Sequence, residues 1–67
     1  MSWSSCMQNK VVSHYGSEVE NCVKGITHGN FSDILKCIAE VKGIADPEVW
    51  IAEQLAFFTE WSLECAF

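Results

Sequence analysis

The chain has no arginine, and its four lysines are scattered along 67 residues. The formal net charge is −5, and because the lysines are far apart no part of the sequence concentrates positive charge. Recognition of a phosphate backbone needs clustered basic side chains, and anionic membrane surfaces attract polybasic segments. These absences argue against nucleic acid and against an anionic membrane surface as partners.

Long apolar runs are also missing. A membrane-spanning helix needs about 20 consecutive apolar residues, and no run in this sequence approaches that length. The N-terminus has no apolar stretch that resembles a signal peptide. If Met1 is native, we expect a cytoplasmic chain. If Met1 was added to a mature secreted chain, we expect an oxidising compartment, and this second interpretation is the one we favour.

Motifs for metal binding and catalysis are scarce. The cysteines form no Cys-x-x-Cys pair, and His14 and His28 form no His-x-x-x-His pair, which are common spacings of zinc ligands. No local signature places a base beside a Ser or Cys nucleophile. A chain this small also has little room for a pocket of ordinary ligand size. We therefore expect no metal, no cofactor and no enzymatic activity.

Helical periodicity is what the sequence does contain. Apolar residues recur at three- and four-residue spacing in four segments, the pattern of amphipathic helices. This predicts one all-α domain over residues 1–67, a small antiparallel helical bundle. The stripes expected to face its core are Met7, Val11 and Tyr15; Val19, Cys22, Val23 and Ile26; Phe31, Ile34, Leu35, Ile38 and Val41; and Ile51, Leu55, Phe58 and Cys65.

Capping residues divide these segments. Gly16 can close the first helix, and Ser17 with Glu20 can form a capping box that opens the second. Their coincidence favours four helices over the alternative of three, in which the first two segments merge. Further caps are expected from Ser4 or Ser5, from Asn30 or Ser32, and from Gly43.

The last third of the chain predicts the longest helix. Asp46 is a good N-cap residue, Pro47 suits the first helical position, and no Gly or Pro interrupts the sequence from there to Cys65. Because this segment is apolar around well over half its girth, it either lies in the middle of the bundle or meets something outside the chain.

The four cysteines predict two nested disulfides. In a bundle of four antiparallel helices, Cys6 and Cys65 lie at the same end, while Cys22 and Cys37 face each other across a turn near Gly29. Three helices would separate Cys6 from Cys65. In a reducing compartment the cysteines would instead be free thiols that fill space in the core.

A ridge of aromatic residues is the most informative functional feature. Trp50, Phe57 and Trp61 follow one another along the fourth helix beside an acidic stripe formed by Glu53, Glu60 and Glu64. The ridge can be core, or it can be an interface, because Trp and Phe are common at binding hot spots. An acidic rim would favour a basic partner.

These observations favour a small protein-binding domain, a secreted, disulfide-stapled ligand of the toxin-like, pheromone-like or receptor-directed kind. Its partner would be another protein or a second copy of itself. The alternatives are an intracellular acidic inhibitor or adaptor with reduced cysteines, and a small lipid carrier.

Overall fold

The computed structural model describes residues 4–24 and 30–66, and within them the secondary structure is entirely helical. This confirms the predicted all-α fold. Ile26 and His28 fall outside the described residues. The helices are α1 (Ser5–Tyr15), α2 (Glu20–Val23), which is entered through a 3-10 turn at Ser17–Val19, α3 (Phe31–Lys42) and α4 (Pro47–Cys65). Helix α4 contacts both α1 and α3, and α2 also lies against α1 and α3.

The break between α1 and α2 falls at Gly16, so four helices form and not three. Gly16 has φ of 100°, a region that L-residues with a side chain rarely enter, and its N–H donates to the Val12 carbonyl over 2.8 Å. The predicted capping box is wrong. The chain enters α2 through the 3-10 turn, and the Glu20 N–H donates to the backbone carbonyl of Ser17 instead of its hydroxyl.

Three of the other predicted caps are present. The Ser4 hydroxyl accepts from the Met7 N–H, and the Asn30 side chain accepts from the Ser32 N–H over 2.9 Å. Gly43 is left-handed, and the Ile44 N–H reaches back to the carbonyl of Ala39, as in a Schellman motif.

Asp46 departs from its predicted role. Helix α4 does begin at Pro47, but the Asp46 carboxylate makes no capping hydrogen bond. Its backbone carbonyl instead accepts the first helical bond, from the Trp50 N–H over 3.2 Å. The start of α4 is therefore set by proline at the first helical position, and the aspartate contributes its backbone only.

The core lies where the four helices meet and follows most of the predicted stripes, although Phe31, Leu55 and Cys65 are half-buried and Val41 is exposed. Val41 is 45% exposed, because the buried face of α3 is centred on Leu35 and Ile38 and extends to Ala39 on the far side. Leu55 is only half-buried, because the buried face of α4 turns toward Gln54. The buried apolar residues are Met7, Val11, Tyr15, Val19, Cys22, Val23, Ile34, Leu35, Ile38, Ala39, Ile51 and Phe58.

A buried hydrogen bond joins α1 to α4. The Tyr15 hydroxyl donates to Oε1 of Gln54 over 2.7 Å, which satisfies a polar group that burial would otherwise leave unpaired. Burial also raises the pKa of Tyr15 to about 12. Gln54 was not expected in the core, although it lies between Ile51 and Phe58 on the same face of α4.

The cysteines lie in two pairs at disulfide distance. Cys6, in the first turn of α1, meets Cys65 at the end of α4, and Cys22 of α2 meets Cys37 of α3. This is the nested arrangement expected for antiparallel helices. The first pair ties α1 to α4 and the second ties α2 to α3, so each pair links two different helices of the bundle.

Candidate functional site

The aromatic ridge predicted on α4 divides into a half-buried part and an exposed part. Trp50 and Trp61 are half-buried and pack against the core, whereas Phe57 is 40% exposed. The cause is the turn of the buried face toward Gln54, which brings both tryptophans nearer to the core than a face centred on Leu55 would allow. The ridge is therefore a boundary between core and surface.

Helix α1 contributes His14 to this boundary, a contact that was not predicted from the sequence. The exposed ring of His14 lies 5.1 Å from Phe57 and 5.1 Å from Trp61, measured between ring centroids. Phe57 and Trp61 are 6.0 Å apart. We call His14, Phe57 and Trp61 the aromatic patch. Sequence spacing could not join them, because His14 belongs to α1 and the other two residues belong to α4.

An open cleft of about 470 Å³ borders the aromatic patch, between α1 and α4. Three of its lining residues, Asn9, Lys10 and Ser13, are polar and belong to α1, and His14 and Trp61 complete it. The Lys10 ammonium lies 3.6 Å from the Glu64 carboxylate. The cleft thus joins aromatic rings to hydrogen-bonding groups.

The predicted acidic stripe is exposed throughout. Glu53, Glu60 and Glu64 all lie on the solvent side of α4, and Glu64 is the one that pairs with Lys10. Among residues 4–24 and 30–66, Glu53 and Glu60 take part in no ion pair. Their charge is therefore available to a partner.

A second, smaller pocket of about 180 Å³ lies where α3 turns into α4. Its lining residues are Lys36, Ala39, Glu40, Ile44 and Pro47. Pockets for small organic ligands are commonly about 300–1,000 Å³, so this depression is small for such a ligand.

The described residues hold no cluster of three or more His, Cys, Asp or Glu side chains that could bind a metal ion. None of the helices in these two ranges is long and apolar enough to cross a membrane. The site that the structure offers is thus a surface, made of the aromatic patch, the cleft beside it and the carboxylates of α4.

Comparisons with protein-family models, with curated proteins and with solved structures find no significant match to this chain.

Proposed function

We propose that this chain is a secreted, disulfide-stapled helical ligand that binds a protein partner through the aromatic patch. The observation that carries the proposal is the exposed ring of Phe57, which packs against His14 and Trp61, two residues that line the cleft. Aromatic side chains that combine a buried edge with an exposed face are typical of binding hot spots.

The two helices that form the patch are linked covalently. The Cys6–Cys65 pair ties the start of α1 to the end of α4, and the Tyr15–Gln54 hydrogen bond joins the same helices in the core. A surface held rigid before binding loses less conformational entropy when a partner docks. The two cysteine pairs also support the proposed secretion, because disulfides persist in oxidising compartments.

The alternatives differ in what they require. A lipid carrier needs an enclosed apolar cavity, whereas the cleft here is open and bounded by polar side chains of α1. An intracellular adaptor would use the same aromatic patch but would carry reduced cysteines. The redox state of the purified protein separates the adaptor from the secreted ligand.

The test uses binding peptides selected against the protein from a random phage-displayed library. We expect that most selected peptides lose binding to Phe57→Ser and to His14→Ala. The matched control is Val41→Ser, since Val41 is exposed to a similar extent on α3, away from the patch. Circular dichroism establishes that each variant is folded. Peptides that bind Phe57→Ser as well as the unaltered chain would contradict the proposal.

A further inference from the structure

The solvent side of α4, away from the aromatic patch, carries a second apolar surface. Val49 is 55% exposed and Leu63 is 66% exposed, and the exposed residues on the line between them, Ala52, Ala56 and Thr59, have small side chains. We call this surface the outer seam; it comprises Val49, Ala52, Ala56, Thr59 and Leu63. Exposed apolar area arranged in a continuous line is a feature of interaction sites.

The spacing of the outer seam is that of a helix-pairing surface. Its members follow one another at alternating intervals of three and four residues, the a and d positions of a heptad. The single hydroxyl in the seam, on Thr59, already donates to the Leu55 carbonyl over 3.0 Å, so a covering helix would leave it paired. The alanines would allow the partner's backbone to come close.

The charges beside the outer seam are all of one sign. Glu53 and Glu60 follow its d positions directly, where paired helices form interhelical salt bridges. Helix α4 contains no Lys, Arg or His that could neutralise them. Three of the four lysines form ion pairs with other carboxylates: Lys10 with Glu64, Lys24 with Glu20, and Lys42 with Glu18.

We propose that the outer seam docks one basic amphipathic helix of a partner protein, with Lys or Arg facing Glu53 and Glu60. A second copy of this chain fits less well, because its own outer seam would bring glutamates and no positive charge. From Val49 to Leu63 the seam extends about 21 Å, at 1.5 Å per residue. The docked segment therefore spans about four helical turns.

The test measures binding of a defined peptide to the full oxidised chain by fluorescence anisotropy. The probe is a labelled synthetic helix with Leu at its a and d positions and Lys at its e and g positions. A second peptide carries Glu in place of Lys. We expect the basic peptide to bind, the acidic peptide to bind much more weakly, and added salt to reduce binding of the basic peptide.

Matched variants locate the binding. We expect three variants to lower the affinity for the basic peptide about tenfold or more, equivalent to about 1.4 kcal/mol. They are Leu63→Ser, Val49→Ser and the double change Glu53→Gln with Glu60→Gln. The controls are Val41→Ser and the double change Asp33→Asn with Glu40→Gln, which remove exposed apolar or acidic groups from α3. These should bind within about twofold of the unaltered chain.

Three results would overturn the inference. Equal weakening by the seam and control variants would indicate attraction to net charge alone. Loss of binding in Phe57→Ser but not in Leu63→Ser would place the peptide on the aromatic patch. Self-association that sedimentation detects and Leu63→Ser abolishes would identify the occupant as a second copy.

Discussion

Tyr15 connects the core of this small domain to its surface. Its ring packs in the core near Phe58 and Trp61, and its hydroxyl donates to Gln54 on the facing helix. On the other side, the neighbouring ring of His14 lies 4.7 Å from the Tyr15 ring. The residue that fixes α1 against α4 thus also supports one side of the aromatic patch.

Burial of Tyr15 predicts a specific response to alkaline pH. Its pKa is raised from 10.0 to about 12, so the unfolded chain loses the phenolic proton at lower pH than the folded chain. The free energy of unfolding is therefore unaffected by this group below pH 10. It falls by about 2–3 kcal/mol as pH rises from about 10 through about 12. The chain has a single tyrosine, so tyrosinate absorbance at a fixed wavelength follows this group alone.

We expect the tyrosinate midpoint of the folded protein to lie well above that of the denatured protein. Tyr15→Phe provides the blank, because it should show no titration in this range. A folded-state midpoint near 10 would show that the hydroxyl is accessible to solvent and that the hydrogen bond to Gln54 does not protect it.

The positions of two residues, Gln54 and His14, could not be predicted from the sequence. The burial of Gln54 depends on Tyr15, which lies 39 residues away along the chain, and no local pattern contains that information. His14 joins the aromatic patch for the same kind of reason. Both contacts are made between helices, whereas periodicity describes one helix at a time.

Among the helices, the ends were predictable only in part. Gly16, Gly43 and Pro47 act through local backbone chemistry, so the sequence identifies them directly. The caps at Ser4 and Asn30 were each one of two candidates, and the predicted side-chain caps at Ser17 and Asp46 do not form. The face that each helix buries is settled by its neighbours. A small rotation of α4 about its axis, relative to a helix whose buried face is centred on Leu55, is enough to bury part of Trp61 and to expose part of Leu55.

Two glycines with positive φ, Gly16 and Gly43, predict different losses of folding stability when a methyl group is added. Gly16 has φ of 100° with ψ of 161°, a region almost confined to glycine, whereas Gly43 has the ordinary left-handed conformation. Neither position is crowded, so backbone strain decides the outcome. Gly16→Ala should cost about 1–3 kcal/mol and Gly43→Ala about 1 kcal/mol.

Urea denaturation of both variants measures this difference, with the exposed helical change Ser13→Ala as a control for helix propensity. If Gly16→Ala proved as stable as the unaltered protein, the chain between α1 and α2 would have another conformation available. The merging of these two helices would then be the first alternative to examine.

At the scale of the whole molecule, the two cysteine pairs differ in loop length and in accessibility. The Cys6–Cys65 pair closes a sequence separation of 59 and the Cys22–Cys37 pair one of 15. In the chain-entropy model these loops are worth about 4 and about 3 kcal/mol. A core of this size supplies about 3–5 kcal/mol of folding stability. The two disulfides therefore contribute about as much stability as the core.

Accessibility predicts the order in which the pairs are reduced. Cys6 is exposed, whereas Cys22 is only 6% exposed, and thiol–disulfide exchange requires access to a sulfur atom. Limited treatment with a dithiol should open Cys6–Cys65 first, and alkylation followed by peptide mapping should find Cys22–Cys37 still intact. The native mass should be lower than the reduced mass by about four hydrogens, two per disulfide.

The alternatives have distinct signatures in the same experiment. Equal rates of opening would mean that the buried pair is exposed by frequent unfolding. A native mass equal to the reduced mass would favour the intracellular adaptor.

The Cys6–Cys65 pair has a further effect on how the molecule withstands proteolysis. With this bond formed, residues 6–65 make a closed ring, so one backbone cut anywhere inside it releases no fragment. The connection at residues 43–46, between α3 and α4, is mostly exposed and is the kind of site where a protease can cut. After such a cut α1 and α4 remain covalently joined. A surface formed by both helices can therefore persist after the backbone between them has been cleaved.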